Sequence, residues 1–197
     1  MKKILLAGLI SLGMVSAHAE TMTFDSLEQA GSGLQQLLLY TEEAGFFLEG
    51  NPLLSAHQQH ESYAGSAALH SAGGDSFTVL YKADLSAFTL NAIDLAPLLR
   101  NAQNGGQVTF TGKFIDGSFI EQTFNVNTAF AFSTFNFTGF TNLESVMWIQ
   151  EYDFLHQYDN IVLDEAQVPE PGSLALLGFG LMGVAASRRK LAKRNAA

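Results

Sequence analysis

Val108-Thr109-Phe110-Thr111-Gly112-Lys113-Phe114, then Asp116-Gly117, then Phe119-Ile120-Glu121-Gln122-Thr123-Phe124-Asn125-Val126: this stretch reads as a β-hairpin and decides the fold class. Apolar and polar residues alternate with a period of two in its first arm, the pattern of a strand with one face buried. Gly112 interrupts that arm and is expected as a bulge. Asp116-Gly117 is expected as a two-residue turn with positive φ at both positions, and the second arm returns as the partner strand.

Further strands are expected on either side. Gly45-Phe46-Phe47-Leu48-Glu49-Gly50 reads as one, broken by Asn51-Pro52. Residues 63–69 and 77–82 read as two more around the turn Gly73-Gly74-Asp75, and residues 88–95 as another, ended by Pro97. Phe130, Phe132, Phe135, Phe137 and Phe140 make the next stretch β-prone. Ser145-Val146-Met147-Trp148-Ile149 is an almost unbroken apolar run, expected as a central strand buried on both faces, with Trp148 in the core. Asn160-Ile161-Val162-Leu163 closes the series. In residues 26–40, Leu34, Leu37 and Leu38 recur at helical spacing but Gly31 and Gly33 interrupt them, so a loop or short helix is expected. Many short strands divided by Gly, Asn and Asp turns predict an all-β chain, a β-sandwich of jelly-roll type.

Two segments lie outside that domain. Residues 1–19 combine Lys2 and Lys3, an uncharged apolar run, and Ala17-His18-Ala19. That is the layout of a signal peptide, with Ala17 and Ala19 as the small residues that signal peptidase reads, and with a helix expected over the apolar run. Residues 168–197 begin Val168-Pro169-Glu170-Pro171-Gly172-Ser173, continue as an uncharged apolar stretch, and reach Arg188-Arg189-Lys190. The prolines Pro169 and Pro171 hold the chain extended on either side of Glu170, a shape that a processing enzyme can grip. The apolar stretch is expected as a short helix, brief for a bilayer that needs roughly 20 residues, hence a transient anchor. The basic stop Arg188, Arg189, Lys190 favours the cytoplasmic side and puts the domain outside.

The charge follows the same division. Only Lys82, Arg100 and Lys113 fall within residues 20–167, against 18 of the 19 acidic residues, a net charge of −15. Such a surface repels phosphate backbones, so nucleic acid is not an expected partner. The chain has no cysteine, which excludes thiol catalysis and thiolate zinc sites.

The order Pro-Glu-Pro, apolar stretch and Arg/Lys cluster resembles the PEP-CTERM sorting signal. Val168-Pro169-Glu170-Pro171-Gly172-Ser173-Leu174-Ala175-Leu176-Leu177-Gly178 and Ala186-Ser187-Arg188-Arg189 carry the resemblance. It implies export across the inner membrane and recognition by an exosortase, a membrane protease or transpeptidase, with delivery to the cell surface or extracellular matrix. It also implies a host that makes extracellular polysaccharide. In the body, strings such as Tyr63-Ala64-Gly65-Ser66-Ala67-Ala68-Leu69 and Tyr158-Asp159-Asn160-Ile161-Val162-Leu163 look like the passenger domains of such proteins, themselves similar to the jelly rolls of carbohydrate-binding modules.

Chemistry is sparsely marked. His57-Gln58-Gln59-His60-Glu61 lacks the spacing of a zinc protease motif and reads as an exposed loop. No catalytic residues are assigned. Asp25 and Asp159, on opening and closing strands expected to lie together, read either as ligands of a structural calcium or as turn-capping carboxylates. Tyr152 and Tyr158 are the expected sugar-stacking residues, since aromatic rings cover the apolar faces of sugars. The leading expectation is an exported protein, not an enzyme, whose domain binds or packs within extracellular polysaccharide. The alternative is a secreted glycan-active hydrolase using paired carboxylates, which a cleft with two carboxyl groups roughly 5 to 9 Å apart would reveal.

Overall fold

A computed structural model describes residues 19–37 and 40–165. The strands are β1 (Ala19–Met22), β2 (Leu34–Leu37), β3 (Tyr40–Glu43), β4 (Phe46–Gly50), β5 (Leu53–Ala56), β6 (Leu69–Ser71) and β7 (Ser76–Lys82). They continue with β8 (Phe88–Pro97), β9 (Gly106–Phe114), β10 (Phe119–Val126), β11 (Ser133–Asn136), β12 (Leu143–Gln150) and β13 (His156–Glu165). The described helical structure is a single 3-10 turn, Asp25–Leu27. No helix among the described residues is long and apolar enough to cross a membrane. The expected signal helix and the short apolar helix of the tail lie outside the described residues.

Every strand pair is antiparallel. One layer runs β2-β5-β6-β13-β8, with β11 on the far edge of β8 and β1 beside the end of β13. The other runs β3-β4-β7-β12-β9-β10. A single register pair, Leu143 with Phe88, stitches the two. Their inner faces meet through rings: Phe46 of β4 stands edge-on to Phe88 of β8 at 5.4 Å, and Trp148 of β12 edge-on to Tyr158 of β13 at 5.0 Å. Leu48, Leu80, Phe110 and Val146 from one layer and Leu53, Leu69, Leu95 and Ile161 from the other complete the buried centre. The protein is therefore a β-sandwich, as the turn-divided strands led one to expect.

The hairpin forms in the expected place, but its turn differs. The chain turns over Phe114-Ile115-Asp116-Gly117, closed by the Gly117 N–H donating to the Phe114 carbonyl at 2.9 Å, and only Gly117 has positive φ, at 84°. Asp116 accepts instead from the Ser118 N–H at 2.9 Å and hydroxyl at 2.6 Å, and these two bonds hold its carboxyl below the usual range. Gly112 is not a bulge. It pairs in register with Ile120, and a Cβ there would lie 3.0 Å from both Ile120 and Leu143.

Three other expectations are corrected. Within residues 26–40, residues 34–37 form a strand against Leu53–Ala56, because Gly31 and Gly33 leave the leucine run too short to nucleate a helix against available sheet pairing. Residues 63–68 are loop, and the strand is confined to Leu69–Ser71. Leu143–Gln150 is central, between β7 and β9, yet buried on one face only: Val146 and Trp148 point in, Met147 and Ile149 point out.

Candidate functional site

The first and last described strands do lie together, Ala19 opposite Asp164 and Met22 opposite Ile161. Ala19, expected at the leader cut, thus opens β1. Ala17, Pro169, Glu170, Pro171 and the basic stop Arg188, Arg189, Lys190 lie outside the described residues. After β1 the chain turns sharply at Phe24, whose φ is 56°. The Glu43 carboxylate accepts the N–H groups of Thr23 at 2.8 Å and Phe24 at 2.9 Å, pinning this corner and presenting Asp25 at the surface.

Asp159 is buried on β13 beside its register partner Asp94. Its Oδ2 accepts the Ser66 hydroxyl at 2.5 Å and its Oδ1 the Asn160 N–H at 2.7 Å. Asn160 sits at φ 45° and donates its side-chain amide to Asp94 at 2.9 Å. Burial pushes the Asp159 carboxyl up to about 6, and the charges of Asp94 and Asp25 push the same way against the two hydrogen bonds. Asp25 is therefore within electrostatic reach of Asp159, but the two do not share a set of ligands. Among the described residues no group of three or more His, Asp and Glu side chains could hold a metal ion. Nearby, Tyr63 donates to Glu28 at 2.6 Å, and that bond, with burial, raises the phenol to about 12. The loop that carries His57 and His60 is tied down by backbone bonds to residues 29–33, such as His57 N–H to the Gly33 carbonyl at 3.0 Å.

The two tyrosines expected to stack on sugars separate completely. Tyr158 is 0% exposed. Its ring packs edge-on against Trp148 and Phe24, and its hydroxyl lies 3.3 Å from that of Thr78. It is a core residue, and no ligand can stack on it. Alternation along β13 decides this, because Tyr158, like Ile161 and Leu163 beyond the irregularity at Asn160, faces inward.

Tyr152 is 73% exposed, in the connection between β12 and β13. Its ring rests on Gly74, where a Cβ would stand 2.3 Å from the ring carbon Cγ. One face of the ring is thus backed by main chain. Tyr152 and Asp153 line an open cleft of ≈ 310 Å³ with Leu99, Asn101, Gln103 and Asn104. The floor is fixed from below: Phe154 is buried against Gly106, stacks on His156 at 6.2 Å, and the Leu98 N–H donates to the Leu155 carbonyl at 2.9 Å. Arg100 leaves the cleft, its guanidinium 4.6 Å over the Phe130 ring and bonded to the carbonyls of Glu61 and Tyr63.

The cleft thus presents an aromatic ring, amides that both donate and accept, and one carboxylate, with no cation of its own. Sequence reasoning found Tyr152 but not the amide loop opposite. The available signal was Asn101, Gln103 and Asn104 clustered after Pro97, which reads equally well as an ordinary turn.

No curated protein matches the chain. Among solved structures it is similar to a family 29 carbohydrate binding module at 11% identity, covering 77% of this chain and 91% of that one, with a TM-score of 0.44. Variants of the family 29 module CBM29-2 complexed with cellulohexaose and with mannohexaose match at 11% identity, each covering 77% of this chain and 94% of theirs, with TM-scores of 0.45 and 0.44. Residues 167–190 match the PEP-CTERM protein-sorting motif, and the chain carries that sorting signal.

Proposed function

We propose that this is an exported protein delivered to the cell surface by an exosortase-type enzyme, with a jelly-roll domain that binds an uncharged extracellular polysaccharide in the Tyr152 cleft. The sorting motif supports the address. The observation that carries the binding reading is the Tyr152 ring, exposed to solvent on one face and backed by Gly74 on the other. A ring held this way loses little freedom on stacking, and the C–H face of a pyranose suits it. The amides of Asn101, Gln103 and Asn104 match sugar hydroxyls, which also both donate and accept.

A hydrolase is not favoured, because glycoside hydrolysis needs two carboxyl groups facing each other and Asp153 is the single carboxylate lining this cleft. Calcium is not required either, since Asp159 already places both oxygens on Ser66 and Asn160. The test is retention of the purified full chain on a panel of immobilised polysaccharides, in calcium and in chelator. Selective retention on an uncharged polymer, equal in both conditions and lost in Tyr152→Ala, is the expected result. Absence of retention on every polymer from a folded sample would overturn the binding reading.

A further inference from the structure

The outward face of the layer β3-β4-β7-β12-β9-β10 is not what an acidic, exported domain should show. A solvated sheet face is ordinarily polar. Here Phe77 and Ile149 are direct cross-strand partners and are 43% and 44% exposed. The next outward pair is Val79 with Met147, the latter 39% exposed. Beyond them Tyr81 lies beside Phe47, with ring centroids 5.7 Å apart. These six side chains form one strip, because register partners share a face and alternate residues along a strand return to it. Phe77 to Tyr81 spans roughly 13 Å along β7.

The strip has a direction and a border. At its Phe77 end the last register pair is Ser76 with Gln150; two residues before Ser76 is Gly74, and two after Gln150 is Tyr152, whose ring covers Gly74. The Phe77 end of the strip is therefore the end of the sheet that carries Tyr152, with the exposed Asp75 and Glu151 next in outward register between the two. Along its other side lie hydroxyls and a carboxylate: Thr109 and Thr123 are bonded at 2.8 Å, and Thr111 donates to Glu121 at 3.3 Å.

We propose that this strip, with Tyr152 at its end, is the platform for an extended, uncharged polysaccharide chain, the cleft holding one part of the polymer and the sheet face several more residues of it. This rests on the polysaccharide reading of the cleft. Apolar side chains would cover the C–H faces of successive sugars, while the Thr and Glu border would meet their hydroxyls. Charge selects this occupant over two others. The basic residue on the face, Lys113, is ion-paired with Glu144 at 2.8 Å, so an acidic polymer gains no free cation there. A second copy of the chain packed face to face would gather Glu49 and Glu121 of both copies into one interface, in a domain of net charge −15.

The test compares polymer with oligomer on the full chain. The probes are soluble glucomannan, cellohexaose and, as the acidic control, alginate. The variants are Phe77→Thr with Ile149→Thr, and Tyr152→Ala alone; Thr suits an exposed strand position, and an unchanged near-ultraviolet circular dichroism spectrum certifies the fold. Expected is a loss of at least about tenfold in glucomannan affinity for the double variant, the scale of one significant contact, with alginate unbound throughout. Wild-type affinity in the double variant together with loss in Tyr152→Ala would overturn the platform and leave the cleft. Failure of the wild type to bind either neutral probe would remove both. A wild type that dimerises while the double variant is monomeric would make the face a self-association surface and overturn the glycan assignment.

Discussion

Gly74 shows how far one residue controls the candidate site. Its missing side chain is the space that the Tyr152 ring occupies, so Gly74→Val should lift the ring away from its backing. Polysaccharide retention is expected to fall with little change in melting temperature, because the displaced ring is exposed and can move. A normal retention profile in Gly74→Val would show that the ring position is immaterial. Gly106 makes the opposite case. A Cβ there would lie 2.0 Å from the buried Phe154 ring, which cannot move freely, so Gly106→Ala should cost about 1–3 kcal/mol by chemical denaturation. Asp159 gives a third prediction. Its carboxyl titrates near 6 in the fold, above its ordinary value, so its stabilising share is complete at low pH and is lost as pH rises through about 6. Asp159→Asn, which cannot ionise, should be more stable than the wild type at pH 7.5, by up to about 3 kcal/mol. A lower stability at that pH would contradict the burial account.

Strands were more legible than the direction their side chains face. The hairpin around Gly117 was readable because alternation and an Asp-Gly turn agreed, and the structure differs only in which residues take positive φ. Trp148 was readable as core because it sits in the middle of an apolar run. The unbroken apolar run around it misled, since a sequence does not say whether an apolar residue is covered by protein or left to meet a ligand. Met147 and Ile149 are left exposed on the outer face. Tyr158 failed in reverse: an aromatic residue near a loop was expected outside, and register with Leu69 and Leu95 turns it inward. The amide loop opposite Tyr152 read only as a turn, because its partners are brought together by the β8–β9 and β12–β13 connections meeting at one end of the sandwich.

For the molecule as a whole, stability against acid is set by opposed buried groups. Burial holds His70 and His156 down at about 4, with His60 and His70 respectively adding to the shift. Their stabilising share is complete above about 6.5 and is lost as pH falls toward 4, opposite in sign to that of Asp159. Two histidines outweigh one aspartate, so the melting temperature should fall between pH 7 and pH 4.5, and fall more steeply in Asp159→Asn. A pH-independent melting temperature across that range would contradict the balance. Export frames the rest: a domain of net charge −15 without disulfides, followed by a sorting motif, must hold by its core. Polysaccharide binding in the Tyr152 cleft is tested most directly by affinity electrophoresis of the full chain and of Tyr152→Ala through gels containing glucomannan, at low and high salt. The expected result is retardation of the wild type that is the same at both salt concentrations and is lost in the variant. Equal mobility of the two proteins, or retardation that disappears with salt, would contradict it.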